Sequence, residues 1–267
     1  MPKIQINGID IYYEQHGWDK DADVLVLSNG VLMGTASWAF QTPALSKHFR
    51  VLLYDCRGQW QSDHPREPYS MELHADDLNA LLDAFHIERA HLAGISYGAE
   101  ISMVFALKYP ARVQRLVLSS AVSQVDPLLR GIIEMWIESA KLKGPDLFFK
   151  MTYLFNFSER WIAANAQALE KSRTRYGLLD FDAVVNLCEA FLQLNITAQL
   201  PQIKVPTCVM VGEQDILKPR RYAEIIANQI PCSELVVVPN AGHALCLEQP
   251  ETFNSVMLGF LKKNSVQ

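Results

Sequence analysis

The sequence lacks the features that mark membrane, secreted and nucleic-acid-binding proteins. No stretch of the chain approaches the roughly 18 consecutive apolar residues that a membrane span requires. Its first residues carry no apolar core of signal-peptide length, so we expect a cytoplasmic protein. The 24 basic and 29 acidic residues give a net charge of −5, which offers no basic surface to nucleic acid. We therefore expect neither a nucleic-acid nor a membrane partner.

Cysteine and metal-ligand patterns are sparse as well. The five cysteines are odd in number, scattered and without a C-x-x-C pair, a usage that suits a reducing compartment. No spaced cluster of histidine, cysteine and aspartate appears, so the sequence predicts no metal site and no cofactor. The 267 residues, 49% hydrophobic and 20% charged, suffice for one large α/β domain with an insertion or for two small domains.

Strand and helix patterns alternate along most of the chain. Alternating runs on either side of Asn7-Gly8 predict a β-hairpin. Continuous apolar runs, typical of parallel strands covered on both faces, lie at 24–27, 51–54, 90–93, 113–118, 207–211 and 235–238. Helical patterns lie at 71–85, 101–107, 222–230 and 253–261. The sequence thus predicts an α/β fold with a doubly wound, mostly parallel sheet and an antiparallel start.

Residues 123–201 interrupt this alternation. They contain no strand-like run, and they are rich in helix formers and aromatic residues. Such a length exceeds that of an ordinary loop, so we predict a helical cap at 123–201 inserted into a core formed by 1–122 and 202–267. Each aromatic residue of this segment either belongs to the cap's own core or faces the main domain.

The pentapeptide Gly94-Ile95-Ser96-Tyr97-Gly98 has the form G-x-S-x-G and lies between an apolar run and a helical pattern. A buried strand that turns sharply into a helix raises the turn residue to a strained, exposed apex. A serine there presents its hydroxyl at the helix N-terminus, where partial positive charge favours a developing anion. A glycine-rich turn with a passive serine would leave the small residues on both sides unexplained. We therefore predict that Ser96 is a nucleophile.

A serine hydroxyl becomes an effective nucleophile when a base takes its proton and a third group orients that base. Two later apolar strands lead directly into Asp215 and His243, the predicted acid and base. Glu213, in the same turn as Asp215, and Asp126, after the preceding strand, are rivals for the acid. The six other histidines have no such context and are expected to be surface or hydrogen-bonded residues. The chain order Ser96, Asp215, His243 is that of the α/β-hydrolases.

The chain resembles α/β-hydrolase fold proteins that carry a helical cap between the sixth and seventh strands. The resemblance spans about residues 24–260, nearly the whole chain. Its motifs are Ser28-Asn29-Gly30, Asp55-Cys56-Arg57-Gly58, the pentapeptide around Ser96, Gly212-Glu213-Gln214-Asp215 and Gly242-His243. Together they are highly specific for the fold and only weakly specific for the substrate. Within the subgroup the chain is similar to carboxylesterases and to 3-oxoadipate enol-lactonases, the latter through the Ser-Asn start of its oxyanion loop.

This resemblance implies an oxyanion hole formed by two backbone N–H groups, those of Tyr97 and Val31. Many relatives have His-Gly in the loop that precedes Val31. This chain has Asn29-Gly30 instead, and we expect the asparagine to order the loop. Trp60 stands where the family pattern has glycine, and it either lines the mouth of the site or is a packing variant.

We predict a serine hydrolase that cleaves a small to medium carboxylic ester or lactone through an acyl-enzyme on Ser96. Its substrate is expected to have an apolar acyl part or leaving group, bound by Trp60, Trp136, Phe149 and Tyr153. We expect a monomer or homodimer.

Several other activities stay open at this point. A thioesterase, an acyltransferase, a carbon–carbon bond hydrolase and a cofactor-free haloperoxidase would use the same three residues, and a ligand receptor with slow turnover would retain them. Haloalkane dehalogenases and epoxide hydrolases are disfavoured, because they need an aspartate in place of Ser96.

Overall fold

The computed structural model describes residues 2–263 and contains one eight-stranded sheet. The strands are β1 Lys3–Ile6, β2 Ile9–His16, β3 Val24–Ser28, β4 Arg50–Tyr54, β5 Ala90–Ile95, β6 Val113–Ser119, β7 Thr207–Gly212 and β8 Ser233–Val238. Their order across the sheet is β1-β2-β4-β3-β5-β6-β7-β8. Strand β2 is antiparallel to β1 and to β4, and the pairs from β3–β4 onward are parallel. The predicted mostly parallel sheet with an antiparallel start is confirmed.

Helices cover both faces of this sheet. They are α1 Thr42–Leu45, α2 Met71–Ala84, α3 Tyr97–Lys108, α4 Pro127–Lys141, α5 Pro145–Asn156, α6 Glu159–Ala164, α7 Ala166–Arg175, α8 Phe181–Leu192, α9 Arg220–Gln229, α10 Leu245–Glu248 and α11 Pro250–Leu261. The predicted helical patterns correspond to α2, α3, α9 and α11. Helices α1 and α10 have four residues each, which is too short for a helical period to be recognised.

The apolar runs of the strands divide their side chains between two cores. Because successive side chains of a strand point to opposite faces, Val24 and Val26 pack with residues of α2, α3 and α9. Leu25 and Leu27 pack with residues of α1 and α11 on the other face. Burial on both faces explains why these strands have continuous apolar sequences instead of alternating ones.

The segment between β6 and β7 is helical, as predicted, and contains α4 to α8. Trp136 and Phe148 are buried in this segment, where α4 packs against α8. An isolated antiparallel β-bridge between Gln124 and Asn195 joins the start of the insertion to its end. The helical cap therefore lies between the sixth and seventh strands.

The carboxyl ends of the parallel strands place four loops at one edge of the sheet. They follow β3, β5, β7 and β8, and they carry Val31, Ser96, Asp215 and His243 respectively. In the part of the chain from residue 2 to residue 263, no helix has the length and apolar character needed to cross a membrane.

Candidate active site

Ser96 occupies a strained turn between β5 and α3. Its backbone has φ 52° and ψ −121°, in the region that L-residues rarely adopt. The turn is held where Ser96 N–H donates to the Ser119 carbonyl oxygen at 2.8 Å. A Cβ atom at Gly98 would overlap the backbone oxygen of Ser28, and one at Gly94 would overlap Gly98 itself. Both glycines of the G-x-S-x-G sequence are thus required by close backbone packing.

Asp215 and His243 form a hydrogen-bonded pair at the same edge of the sheet. His243 Nδ1 lies 2.9 Å from Asp215 Oδ2, and both residues are buried. The other carboxylate oxygen accepts the backbone N–H groups of Leu217 at 3.0 Å and Lys218 at 2.8 Å, which fixes the orientation of the carboxylate. The aspartate thus fixes the orientation of the imidazole ring.

The two rival acids lie elsewhere. Glu213 accepts the backbone N–H of Asn240 and is exposed. Asp126 caps α4 by accepting the Leu129 N–H at 2.9 Å, and its second oxygen pairs with Arg221. Neither carboxylate contacts His243 in the described structure, so their geometry favours structural roles.

Ser96 Oγ has a partner that the sequence analysis did not include. Among the described residues, Lys218 Nζ donates a hydrogen bond to Ser96 Oγ at 3.1 Å, whereas His243 makes no hydrogen bond to this oxygen. The same ammonium group lies 2.9 and 3.0 Å from the two carboxylate oxygens of Glu100. The signals in the sequence were two charged residues next to predicted site motifs, Glu100 four positions after Ser96 and Lys218 three positions after Asp215.

The loop after β3 is held by side-chain amides. Asn29 Nδ2 donates to the Tyr54 carbonyl oxygen at 2.9 Å, and Asn29 Oδ1 accepts the Trp38 indole N–H at 2.8 Å. Gln59 Nε2 donates to the carbonyl oxygens of Gly30 at 2.8 Å and Val31 at 3.3 Å. These contacts give Asn29 the loop-ordering position that was expected of it.

Tyr97, the other predicted oxyanion donor, is the first residue of α3, so its N–H has no acceptor within the helix. Val31 and Tyr97 both line a small cavity of about 20 Å³ that also contacts Ser96. Both predicted donor residues therefore lie close to Ser96.

A larger cavity of about 290 Å³ lies between the sheet edge and the helical insertion. Ser96 and His243 line it, together with three of the predicted substrate-binding residues, Trp60, Trp136 and Phe149. The fourth, Tyr153, is not among its lining residues. Its ring instead stacks on Phe149, with ring centroids 4.9 Å apart and planes at 9°. Tyr153 therefore packs within the insertion, and its prediction as a pocket residue is not supported by the geometry.

Trp60 combines the two roles that the sequence left open. It lines the larger cavity, and its indole N–H donates to the Leu32 carbonyl oxygen at 3.2 Å. Its backbone has φ 38°, a conformation that glycine adopts without steric strain, in keeping with the glycine of the family pattern. On the side of the insertion, the guanidinium carbon of Arg175 lies 4.8 Å from the centroid of the Trp60 ring.

Comparisons with known proteins agree with this architecture. A family model described as the alpha/beta hydrolase fold matches residues 23–250. RutD of Stutzerimonas stutzeri strain A1501, provisionally named a carbamate hydrolase, is 32% identical over 262 residues, which cover 96% of this chain and 98% of RutD.

Solved structures match over the same length. The α/β-hydrolase enzyme MGS-M2 from a Medee basin deep-sea metagenome library has a TM-score of 0.93 and 32% identity, covering 100% of this chain and 99% of MGS-M2. The enol-lactonase from Burkholderia xenovorans LB400 has a TM-score of 0.93 and 27% identity, covering 98% of this chain and 100% of the enol-lactonase. The similarity includes both the sheet and the helical insertion.

Proposed function

This chain belongs to the α/β-hydrolase fold family, and from that premise we propose that it is a serine hydrolase of small to medium carboxylic esters or lactones. The family membership makes it a hydrolase. The ester or lactone substrate and the acyl-enzyme on Ser96 are our proposal. The observation that carries it is the 2.9 Å pair between His243 and Asp215 beside the cavity that Ser96 also lines.

In the proposed mechanism Ser96 Oγ attacks the carbonyl carbon of the substrate, and His243 Nε2 accepts the serine proton. Asp215 holds the imidazole in the tautomer that accepts at Nε2 and stabilises its cation. The N–H groups of Val31 and Tyr97 bind the oxyanion. Catalytic hydrogen bonds are often long in ligand-free sites and tighten when substrate binds, which is how Ser96 would reach His243.

The cavity favours a compact, mostly apolar substrate. Its volume of about 290 Å³ is at the small end of the range for ligand pockets, and its walls include Trp136, Phe149, Leu32 and Met33. Such a pocket accepts an acyl or alcohol part of a few carbon atoms. A carbamate is the second candidate substrate, because the relative RutD is named for carbamate hydrolysis and a carbamate carbonyl would be attacked in the same way.

A panel of esters, lactones, thioesters and carbamates of matched acyl groups tests the proposal. We expect the hydrolysis of esters or lactones to be the fastest reaction of the panel and to be abolished in Ser96→Ala. A serine-directed phosphonate should label Ser96. Labelling at another serine, or hydrolysis by Ser96→Ala, would contradict the nucleophile assignment.

The acid is tested separately. Asp215→Asn should lower kcat by about 10⁴, as the equivalent change does in the serine-protease template, because the amide holds the imidazole in the wrong tautomer. Glu213→Gln and Asp126→Asn are the matched controls and should have much smaller effects. An equal loss in either control would move the acid to that residue.

The division into a core of 1–122 and 202–267 and a cap of 123–201 stays a prediction, as do the cytoplasmic location and the monomeric or dimeric state. The five cysteines, all in the described part of the chain, are free thiols in the structure.

A further inference from the structure

A buried ion pair lies directly beside Ser96. Lys218 and Glu100 are 3% and 0% exposed, and Lys218 Nζ is hydrogen-bonded to both carboxylate oxygens of Glu100. The ammonium group also donates to Ser96 Oγ at 3.1 Å and lies 4.5 Å from the centroid of the Phe191 ring. Carboxylate, serine hydroxyl and aromatic face thus surround one buried positive charge.

Both members of the pair are fixed by backbone contacts. Glu100 Oε1 accepts the Val122 N–H at 2.9 Å, immediately before the insertion. The backbone N–H of Lys218 donates to Asp215 Oδ1, so the lysine is anchored in the same turn as the predicted acid. The position of the ammonium group relative to Ser96 is therefore set by two elements of the sheet edge, the turn after β7 and helix α3.

Stability alone does not account for this pair. The desolvation of two buried charges offsets much of their mutual attraction, and apolar replacements of such pairs are often neutral or stabilising. Burial raises the pKa of Glu100, although Lys218 opposes the shift. The pair therefore carries a desolvation cost, and its ammonium group is hydrogen-bonded to the hydroxyl of the predicted nucleophile. Together these two features indicate a chemical role for the pair.

We propose that Lys218 is a catalytic residue that keeps a charged hydrogen bond on Ser96 Oγ through both halves of the reaction, and that Glu100 is the positioning residue that holds it there. This inference depends on the proposed serine mechanism. The smaller cavity places the lysine beside Val31 and Tyr97 as well, so its charge also acts on the side where the oxyanion would form.

The charge that Lys218 would stabilise develops on Ser96 Oγ. In acylation the Oγ–H bond breaks, His243 takes the proton, and Oγ bonds to the carbonyl carbon. The bond from that carbon to the leaving oxygen then breaks, and His243 gives the proton to this oxygen. In deacylation water gives a proton to His243, its oxygen bonds to the acyl carbon, and the bond from Oγ to that carbon breaks as the proton returns to Oγ. Negative charge develops on Oγ in both steps, where a fixed ammonium in a low-dielectric site stabilises it. Lys218 keeps its own proton throughout.

The double variant Lys218→Met/Glu100→Gln tests the lysine, because it removes both charges and leaves no lone buried charge. We expect it to fold and to lose about 10² to 10³-fold in kcat and in the rate of phosphonate labelling of Ser96, the size of effect seen when one oxyanion donor is removed. The matched control is Arg57→Met/Asp77→Asn, a second buried ion pair whose Nε–Oδ2 distance is 2.8 Å and which does not contact Ser96. This control should retain the labelling rate of the wild type.

Steady-state kinetics of the single variant Glu100→Gln test the positioning role. The amide keeps a hydrogen-bond acceptor at this place but removes its charge, so we expect kcat to fall at least tenfold while KM is preserved. A structural role would change thermal stability and leave kcat per folded molecule unchanged. If kcat is unchanged in Glu100→Gln but falls in the double variant, the positioning role of Glu100 is wrong, whereas the catalytic role of Lys218 is supported.

The controls separate the two proposals. Wild-type kcat and labelling in a folded double variant would overturn the role of Lys218. Activity in Ser96→Ala would overturn the proposed function itself, whatever the lysine variants do. Should the double variant fail to fold, the labelling rate and kcat of Lys218→Met alone decide, because the buried carboxyl group of Glu100 can then take up a proton.

Discussion

Tyr97 joins the turn of the predicted nucleophile to a buried histidine. Its hydroxyl lies 2.8 Å from His74 Nε2, and the ring centroids are 5.3 Å apart. His74 Nδ1 has no hydrogen-bond partner among the described residues. Burial, with a smaller contribution from Arg57, lowers the pKa of His74 to about 3. The imidazole is therefore neutral in the folded protein, packed between Tyr69 and Tyr97.

This neutral histidine predicts a loss of stability in acid. As the pH falls below 6.5, the ordinary pKa of histidine, His74 becomes protonated in the unfolded chain. In the folded chain it stays neutral until the pH is about 3. The free energy of unfolding therefore falls with decreasing pH in this window, by up to about 1.4 kcal/mol per pH unit. His74→Gln removes this contribution, so the stability advantage of the wild type over the variant should shrink between about pH 7 and about pH 5.

Denaturant unfolding at several pH values provides the measurement, and comparison with the variant is essential. Asp55 acts in the opposite direction, because burial raises its pKa to about 6, so that its contribution to stability is lost as the pH rises through that value. Both proteins contain Asp55, and its effect cancels in the difference. A difference that does not change with pH would contradict the prediction.

Among the elements, the approach of α3 to the sheet is set by glycine. Gly98, in the first turn of α3, lies so close to β3 that a Cβ atom would overlap the backbone oxygen of Ser28 and the backbone oxygen of Asn29. The helix N-terminus and Ser96 are thereby brought down onto the loop that carries Val31. A backbone oxygen cannot rotate away as a flexible side chain can, so the contact leaves no room for a methyl group.

Gly98→Ala is therefore expected to destabilise the protein by about 3 kcal/mol, the upper end of the usual cost of overpacking. Gly131 is the matched control, because it lies in α4 with no heavy atom near the position of an added Cβ. Gly131→Ala should stabilise the protein by about 0.5–1 kcal/mol, the difference in helix propensity. Denaturant midpoints of the two variants measure both effects, and a Gly98→Ala protein as stable as the wild type would show that the close approach is wrong.

At the scale of the whole molecule, the site lies at the interface between the sheet edge and the insertion. Glu248 accepts the Gly242 N–H at 3.0 Å, next to His243, and its carboxylate also accepts the hydroxyl of Ser158 from the insertion. On the other side, Arg66 and His64 pair with Asp180 at the start of α8. The first set of contacts holds the insertion against the loop that carries His243, and the second holds it against the loop after β4, which carries Trp60.

The sequence predicted the parts of this arrangement that are encoded locally. Parallel strands buried on both faces have continuous apolar sequences, and Ser96 and Asp215 each follow such a strand within a few residues. His243 follows β8, an edge strand that is apolar but only partly buried. The pair of Glu100 with Lys218 was not predicted, because its members are 118 residues apart and an isolated charged residue is ordinarily solvated. The direction in which each aromatic residue of the insertion points was likewise undetermined, since it depends on how α4 and α5 pack.

The packing of α4 and α5 determines which aromatic residues of the insertion line the larger cavity. Trp136 and Phe149 line the larger cavity, whereas Tyr153 contacts Phe149 and does not line it in the described structure. Trp136→Ala and Phe149→Ala enlarge the cavity and should shift the preferred acyl chain to longer esters, with changes of about 1–3 kcal/mol per methylene in relative kcat/KM. Tyr153→Ala, in the same helix as Phe149, is the matched control and should alter thermal stability more than chain-length preference. Relative kcat/KM across an ester series of graded length measures the shift, and phosphonate labelling of Ser96 verifies that each variant retains its site. If Tyr153→Ala changed the profile as much as the other two, or if all three left it unchanged, the assignment of the cavity walls to substrate selection would be wrong.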